Sequence, residues 1–331
     1  MTHQGTATSN DTEVIVVENY RLTTTVLRSK FQLYFPLVWK LNLFSIDLFR
    51  EIRLGVHTSS NRKVAAKLEF LDAQLLSLQY EKKMYDRLKE IKGVAEIYYY
   101  EENWNNQYRA VLIMQQLGHS LDTLFELCQN QFSLKTILYI AIELITIFEA
   151  VHRRGIVYRD VTPKNFLIGL GERGQKHLYL VDFAFSKFYL DPATGQHIVD
   201  RVDHTIKVGT IRYMSLNVHR GHEHSRRDDM ESLGYVFMYF LKQGKLPWSK
   251  LKGRSSEKER MIYNRKCDTT IEQLCQNYPE SFAFFFRQVK CLSFTAEPDY
   301  QTLQQRFVNL FKRENFLNDG HYDWKTRIKE S

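Results

Sequence analysis

The first third of the chain places apolar residues at the spacings of β-strands and of one helix. Runs rich in β-branched and aromatic residues occupy 14–27 and 49–70, with turn residues between the runs. Apolar residues at helical spacing over 73–91 predict a single helix. Two more strand-like runs follow at 95–100 and 108–114. This part of the chain is therefore expected to be mostly sheet.

Helical periodicity dominates the rest of the chain, after a short crossing segment near 115–119. The stretch 136–151 is apolar apart from Glu143 and Glu149, and it ends in a basic turn followed by Gly155. That pattern predicts a buried helix with cations and a glycine at its C-terminal end. The predicted fold is α+β, with a small β-rich lobe that carries one helix and a larger, mostly helical lobe.

Composition supports a folded protein and excludes several classes. The 331 residues, 44% of them hydrophobic, include only 15 Gly and 6 Pro, which excludes collagen-like and broadly disordered chains. Subtracting 38 acidic from 46 basic residues gives +8, which favours anionic partners. The four cysteines form no C-x-x-C pair, so neither a zinc ribbon nor a disulfide scaffold is indicated. A reducing compartment, cytoplasm or nucleus, is expected.

Two segments bear on secretion and membrane insertion. Residues 1–13 are polar and lack an apolar region behind a basic flank, so we expect a disordered tail and no cleaved signal peptide. Residues 31–49 are mostly apolar and just long enough to span a bilayer. They include Lys40 and Asp47, and each such charge costs roughly 2.5–3.5 kcal/mol at the centre of a membrane helix. A membrane span is therefore the weaker interpretation.

One segment contains most of the candidate catalytic residues: a carboxylate, an amide five residues later, and a second carboxylate after a short apolar strand. The two runs are Tyr158-Arg159-Asp160-Val161-Thr162-Pro163-Lys164-Asn165 and Leu178-Tyr179-Leu180-Val181-Asp182-Phe183-Ala184. Phosphoryl transfer uses a carboxylate that receives or orients the substrate hydroxyl proton, and an Asn and an Asp that hold Mg²⁺. Asp160, Asn165 and Asp182 suit these roles. Each alone would be an ordinary turn residue.

The order of these motifs resembles that of protein kinases over residues 14–315. Upstream, Val64-Ala65-Ala66-Lys67 is followed fourteen residues later by Glu81, in the predicted helix. The resemblance implies that Lys67 binds the α- and β-phosphates of ATP and that Glu81 holds Lys67 through an ion pair. An adenine site at the crossing segment is also implied, formed by Met114, Gln115 and Leu117.

Finer details are similar to the casein kinase 1 family. They include Gly118-His119-Ser120-Leu121, the run from Ser225 to Tyr235, Ser215-Leu216-Asn217 in place of A-P-E, and Leu246-Pro247-Trp248. The resemblance implies a monomeric serine/threonine kinase that uses Mg-ATP, does not require activation-loop phosphorylation, and acts on acidic or already phosphorylated protein substrates rather than nucleic acid.

The same resemblance implies roles for four further residues. Arg201 and Lys252 match the basic pocket that recognises the substrate, although either could be a solvated surface charge. Arg159 has a structural role, and Asp229 is expected to brace the catalytic loop.

Three departures from the kinase pattern concern activity. No glycine occurs from 6 to 54, and bulky residues at 28–48 replace the glycine-rich loop, whose backbone must approach the phosphates closely. This segment is either a genuine insertion or the translation of an unspliced intron. Thr162 replaces the catalytic-loop lysine, and Lys164 is the candidate to supply its charge. Ala184 replaces the glycine of D-F-G.

The sequence thus divides into a tail at 1–13, an N-lobe at 14–117 with its atypical insertion, a C-lobe at 118–315 and a C-terminal tail at 316–331. An ATP-dependent serine/threonine kinase is the leading hypothesis. The alternative is a catalytically impaired scaffold with the kinase fold. A membrane-tethered or nucleic-acid-binding protein is the weakest hypothesis, since it depends only on the apolar segment and the positive charge.

Overall fold

A computed structural model describes residues 15–28, 50–71, 77–204, 207–251 and 255–328. The predicted tail at the N-terminus, the apolar stretch and all but the first residue of the predicted insertion lie outside these ranges. Within them, none of the helices is both long enough and apolar enough to cross a membrane.

The described residues fall into two compact units. The first comprises 15–28, 50–71, 77–79 and 97–116, and the second comprises 80–96 and 117 onward.

The first unit contains a six-stranded antiparallel sheet with the order β1-β2-β3-β4-β6-β5. Its strands are β1 (Ile15–Val17), β2 (Tyr20–Arg28), β3 (Arg50–His57), β4 (Lys63–Phe70), β5 (Ile97–Glu102) and β6 (Tyr108–Gln115). They confirm the strands predicted from the runs of β-branched and aromatic residues. Consecutive strands from β1 to β4 pair antiparallel, whereas β6 lies between β4 and β5.

The apolar face of this sheet follows the two-residue period of β-strands. Ala66 and Leu68 of β4 are buried and pair with Ile113 and Val111 of β6 in one core cluster. Because successive side chains point to opposite faces, Lys67 lies on the other face of the sheet from this cluster.

Helices make up most of the second unit. They are α1 (Ser77–Arg87), which begins in the first unit, α2 (Leu121–Leu127), α3 (Leu134–Arg153), α4 (Gly171–Gly174), α5 (Leu216–His219), α6 (Arg226–Leu241), α7 (Ser255–Asp268), α8 (Ile271–Cys275), α9 (Glu280–Lys290), α10 (Tyr300–Arg313) and α11 (Trp324–Arg327). Short strands β7 (Ile156–Val157), β8 (Phe166–Ile168), β9 (Leu178–Leu180) and β10 (Lys187–Phe188) lie among them.

The predicted helices are confirmed, with one boundary corrected. The helix predicted over 73–91 ends at Arg87, because Glu90 adopts φ +69° and breaks the helical backbone. The helix predicted at 136–151 is α3, and Gly155 follows it with φ +80°.

Helix α6 forms the centre of the second unit. Every residue from Asp228 to Phe240 is buried, so this helix is enclosed on all sides. It begins with a capping box, in which the Asp228 carboxylate accepts the N–H of Ser225 at 2.9 Å. This start places Asp228 and Asp229 in the first, buried turn, next to the catalytic loop.

The C-terminal tail packs against the start of α3. Trp324 is 1% exposed, and its ring lies 5.4 Å from that of Phe132 and 4.4 Å from that of Tyr322. The Asp323 carboxylate accepts the N–H and hydroxyl of Ser133, the N-cap of α3. An acidic side chain at a helix N-terminus is favoured by the helix dipole. Through these contacts, residues that follow α10 pack against the helices of the second unit.

Candidate catalytic site

The predicted catalytic loop follows β7 and leads through a short 3₁₀ helix, Pro163–Asn165, into β8. Asp229 of α6 accepts the backbone N–H of Tyr158 at 2.6 Å and that of Arg159 at 2.8 Å. Arg159 has φ +78°, a conformation that is uncommon for residues other than glycine. The buried Asp229 carboxylate therefore fixes the backbone at the point where it adopts this unfavourable conformation.

A histidine and a tyrosine extend this network. His152 Nε2 lies 2.9 Å from Asp229 Oδ2, and His152 Nδ1 lies 2.6 Å from the Tyr300 hydroxyl. Because an ionised carboxylate only accepts, Nε2 carries a proton, and in the neutral ring Nδ1 accepts from the Tyr300 hydroxyl. Sequence reasoning assigned His152 only to a basic last turn, yet it is 1% exposed and joins α3, α6 and α10.

The Asp160 side chain is held at both oxygens. Its Oδ1 accepts the backbone N–H of Thr210 at 2.9 Å and the Thr210 hydroxyl at 2.8 Å, while Oδ2 accepts Asn165 Nδ2 at 3.2 Å. Gly209 allows the approach, because a Cβ there would overlap the carbonyl oxygen of Arg159. Sequence reasoning missed Thr210, whose partner lies fifty residues away in the chain.

The second predicted carboxylate follows β9. The Asp182 backbone N–H donates to the Tyr85 hydroxyl at 3.2 Å, and the Asp182 backbone has φ +64°. The next residue, Phe183, is fully buried, with its ring 5.0 Å from that of Tyr85 and 5.4 Å from that of Tyr158. Tyr158 also donates its hydroxyl proton to the carbonyl oxygen of Val181 at 2.6 Å. Aromatic packing thus fixes this segment to α1 and to the catalytic loop.

Taken together, these contacts give a carboxylate in fixed orientation, an amide beside it and a second carboxylate on an adjoining strand end. A sequence model of the protein kinase domain matches residues 49–303. The chain belongs to the protein kinase family. The match covers well over half of the chain and begins just after the predicted insertion, and the α+β fold agrees with it.

Kinases are transferases, and as a family they use ATP with Mg²⁺. In this kinase the donors predicted for the metal are the oxygens of Asn165 and Asp182, which suit a hard cation such as Mg²⁺. When bound, Mg²⁺ neutralises charge on the phosphates. The role predicted for Asp160 is then to accept or orient a hydroxyl proton.

The residues predicted to bind the nucleotide lie on both units. Lys67 of β4 is 7% exposed, and Met114 and Gln115 end β6. Glu81 is fully buried on the part of α1 that belongs to the second unit, and Leu117 is the first residue after the division. The Lys67–Glu81 ion pair and the adenine contacts stay predictions.

Of the two predicted substrate residues, one lies within the described part of the chain. Arg201 is exposed, and Lys252 lies outside the described residues.

In the catalytic loop, Thr162 is 6% exposed and directly precedes the 3₁₀ helix, while Lys164 is exposed on that helix.

The surroundings of Asp160 predict a pH dependence. Burial raises the pKa of the Asp160 carboxyl, the Asp182 carboxylate raises it further, and the hydrogen bonds from Thr210 lower it. As the predicted base, Asp160 should set the acidic limb of the turnover profile. Thr210→Val removes the hydroxyl but keeps the N–H, so the limb should move to higher pH. Thr210→Ser, which keeps the hydroxyl, is the control, and an unmoved limb in the valine variant would contradict this assignment.

Proposed function

We propose that this kinase is active and transfers the γ-phosphate of Mg-ATP to serine or threonine of acidic or already phosphorylated proteins, as casein kinase 1 enzymes do. The observation that carries the proposal is the fixed Asp160 carboxylate. Its Oδ1 is oriented by Thr210 and its Oδ2 by Asn165, so no reorganisation is needed before a substrate hydroxyl arrives.

The preference for anionic substrates has weaker support. Arg201 is exposed and lies on the segment that leads towards Thr210. A guanidinium group forms paired hydrogen bonds with phosphate or carboxylate oxygens. The net charge of +8 also favours acidic protein segments.

A catalytically impaired scaffold is the second candidate, because specific features favour it. The stretch from 6 to 54 has no glycine to approach the phosphates, and Thr162 stands where kinases place a cation. In this alternative the same fold binds a protein partner without turnover.

Phosphate transfer to matched peptides separates the two candidates. The full chain is incubated with Mg-ATP and an acidic peptide that carries one serine, its tyrosine counterpart, and a form with a phosphoserine nearby. We expect transfer to serine, greater for the phosphorylated peptide, and its loss in Asp182→Asn. ATP binding without transfer to any peptide would favour the scaffold, and transfer mainly to tyrosine would contradict the serine/threonine assignment.

A further inference from the structure

A buried lysine lies beneath the segment that follows Thr210. Lys266 of α7 is only 2% exposed. Its Nζ lies 2.9 Å from the carbonyl oxygen of Ile211 and 2.6 Å from that of Met214. The third polar neighbour is Nε2 of His219, at 3.2 Å. Lysine is ordinarily a surface residue, so complete burial among neutral acceptors is unusual.

The three acceptors match the three protons of an ammonium group. Since a charged lysine only donates, His219 accepts at Nε2 and carries its own proton on Nδ1. Burial lowers the pKa of His219 to about 2, and the charge of Lys266 lowers it further, in keeping with a neutral ring. The faces of Tyr235 and Trp248 lie 4.9 and 5.2 Å from Nζ and stabilise a cation there.

Holding this charge is costly. Burial lowers the pKa of Lys266 to about 7; the Glu231 carboxylate of α6 opposes that effect, and Lys290 of α9 adds to it. An apolar side chain such as methionine could fill similar space without the desolvation penalty of a buried ion. Unlike methionine, lysine also supplies hydrogen-bond donors for the backbone carbonyls of Ile211 and Met214.

That backbone forms the turn that carries Thr210. The N–H groups of Tyr213 and Met214 donate to the carbonyl oxygen of Thr210 at 2.9 and 3.0 Å. Trp248 Nε1 donates to the carbonyl oxygen of Arg212 at 2.9 Å. Lys266 of α7 and Trp248 together donate to three carbonyl oxygens of this turn, those of Ile211, Arg212 and Met214. Thr210, at the start of the turn, donates to the Asp160 carboxylate.

We propose that Lys266 is a positioning residue for phosphoryl transfer: by binding the carbonyls of Ile211 and Met214, its ammonium group fixes the turn that presents Thr210 to the Asp160 carboxylate. The proposal rests on the proposed kinase function, because it concerns the placement of the residue assigned as base. Lys266 itself touches neither substrate nor nucleotide in this role.

Steady-state kinetics of Lys266→Met test the role. We expect the turnover number to fall roughly tenfold, since small misplacement of a catalytic group is costly, while the KM for ATP changes by less than about twofold. Lys242→Met is the matched control, because Lys242 is a partly buried lysine whose Nζ lies 4.9 Å from the centre of the Tyr278 ring. It should behave as the wild type. Lys266→Gln, which keeps an amide donor, serves if the methionine variant does not fold.

Hydrogen exchange provides a measurement that is independent of catalysis. Amides of residues 209–215 should exchange faster in the Lys266 variants than in the wild type or Lys242→Met, with the rest of the helical unit unchanged. If the wild type transfers no phosphate but this local change occurs, the kinase proposal fails while Lys266 still fixes the turn. The inference would be overturned if the Lys266 variants kept the turnover number of the wild type and exchanged the amides of 209–215 at the wild-type rate.

Discussion

Asp160→Asn should lower the turnover number of the kinase by about two to four orders of magnitude, the usual contribution of a general base. The change removes the charge that accepts or orients the substrate hydroxyl proton. It also disturbs the local hydrogen bonds, since the introduced amide can offer its oxygen either to Thr210 or to Asn165 but not to both. If the oxygen stays with Thr210, Asn165 Nδ2 loses its side-chain acceptor; if it turns to Asn165, the Thr210 N–H and hydroxyl lose theirs.

The same substitution should change stability only slightly. A hydrogen bond is lost, which costs about 1 kcal/mol. The loss is offset because burial and the Asp182 carboxylate already disfavour the charged form of Asp160 in the folded protein. Asp160→Asn should therefore lower the turnover number strongly while changing the free energy of unfolding in urea only slightly.

Asp268→Asn is a suitable control, because Asp268 is exposed at the end of α7. It should match the wild type in both measurements. If Asp160→Asn transferred phosphate at the wild-type rate, the assignment of the base would be wrong, and the role of Thr210 would have to be reconsidered with it.

Local patterns predicted the elements of the fold well, because they reflect which face of each strand or helix is buried. The alternation in β4 separates the core residue Ala66 from Lys67 on the opposite face. The apolar run of α3 and the glycine after it predicted a buried helix and its end. The end of α1 was harder to predict, since the positive φ of Glu90 has no clear signal in the periodicity.

The candidate site was only partly predictable, for a different reason. Asp160, Asn165 and Asp182 lie in recognisable short motifs. Thr210 and His152 do not, because each acquires its role from a residue far away in the chain, Asp160 for one and Asp229 for the other. Such pairings depend on tertiary structure, which spacing along the chain does not encode.

Lys266 illustrates the same limit in a helix. The sequence of α7 is strongly charged, and it gives no indication that one lysine among its charges is buried. Only the packing of α7 under the turn near Thr210 distinguishes Lys266 from its exposed neighbours.

Asp229→Ala should lower both the stability and the turnover of the kinase, whereas loss of the base should lower mainly its turnover. The Asp229 carboxylate accepts from the backbone of Tyr158, the backbone of Arg159 and the ring of His152. Removing a buried charged partner typically costs about 3–5 kcal/mol, and here donors from three residues are left unpaired. Urea unfolding should show a loss of stability of about that size.

Turnover per folded molecule should fall as well, because the carboxylate that binds the Arg159 backbone at its positive φ, directly before Asp160, would be missing. Asp323→Ala is the control: its carboxylate also accepts two hydrogen bonds at a helix start, from Ser133 before α3, at the opposite end of that helix from His152. Both variants should be destabilised, and only Asp229→Ala should lose most of its turnover after correction for the folded fraction. Equal residual turnover in the two variants would show that Asp229 supports the fold alone and does not position the catalytic loop.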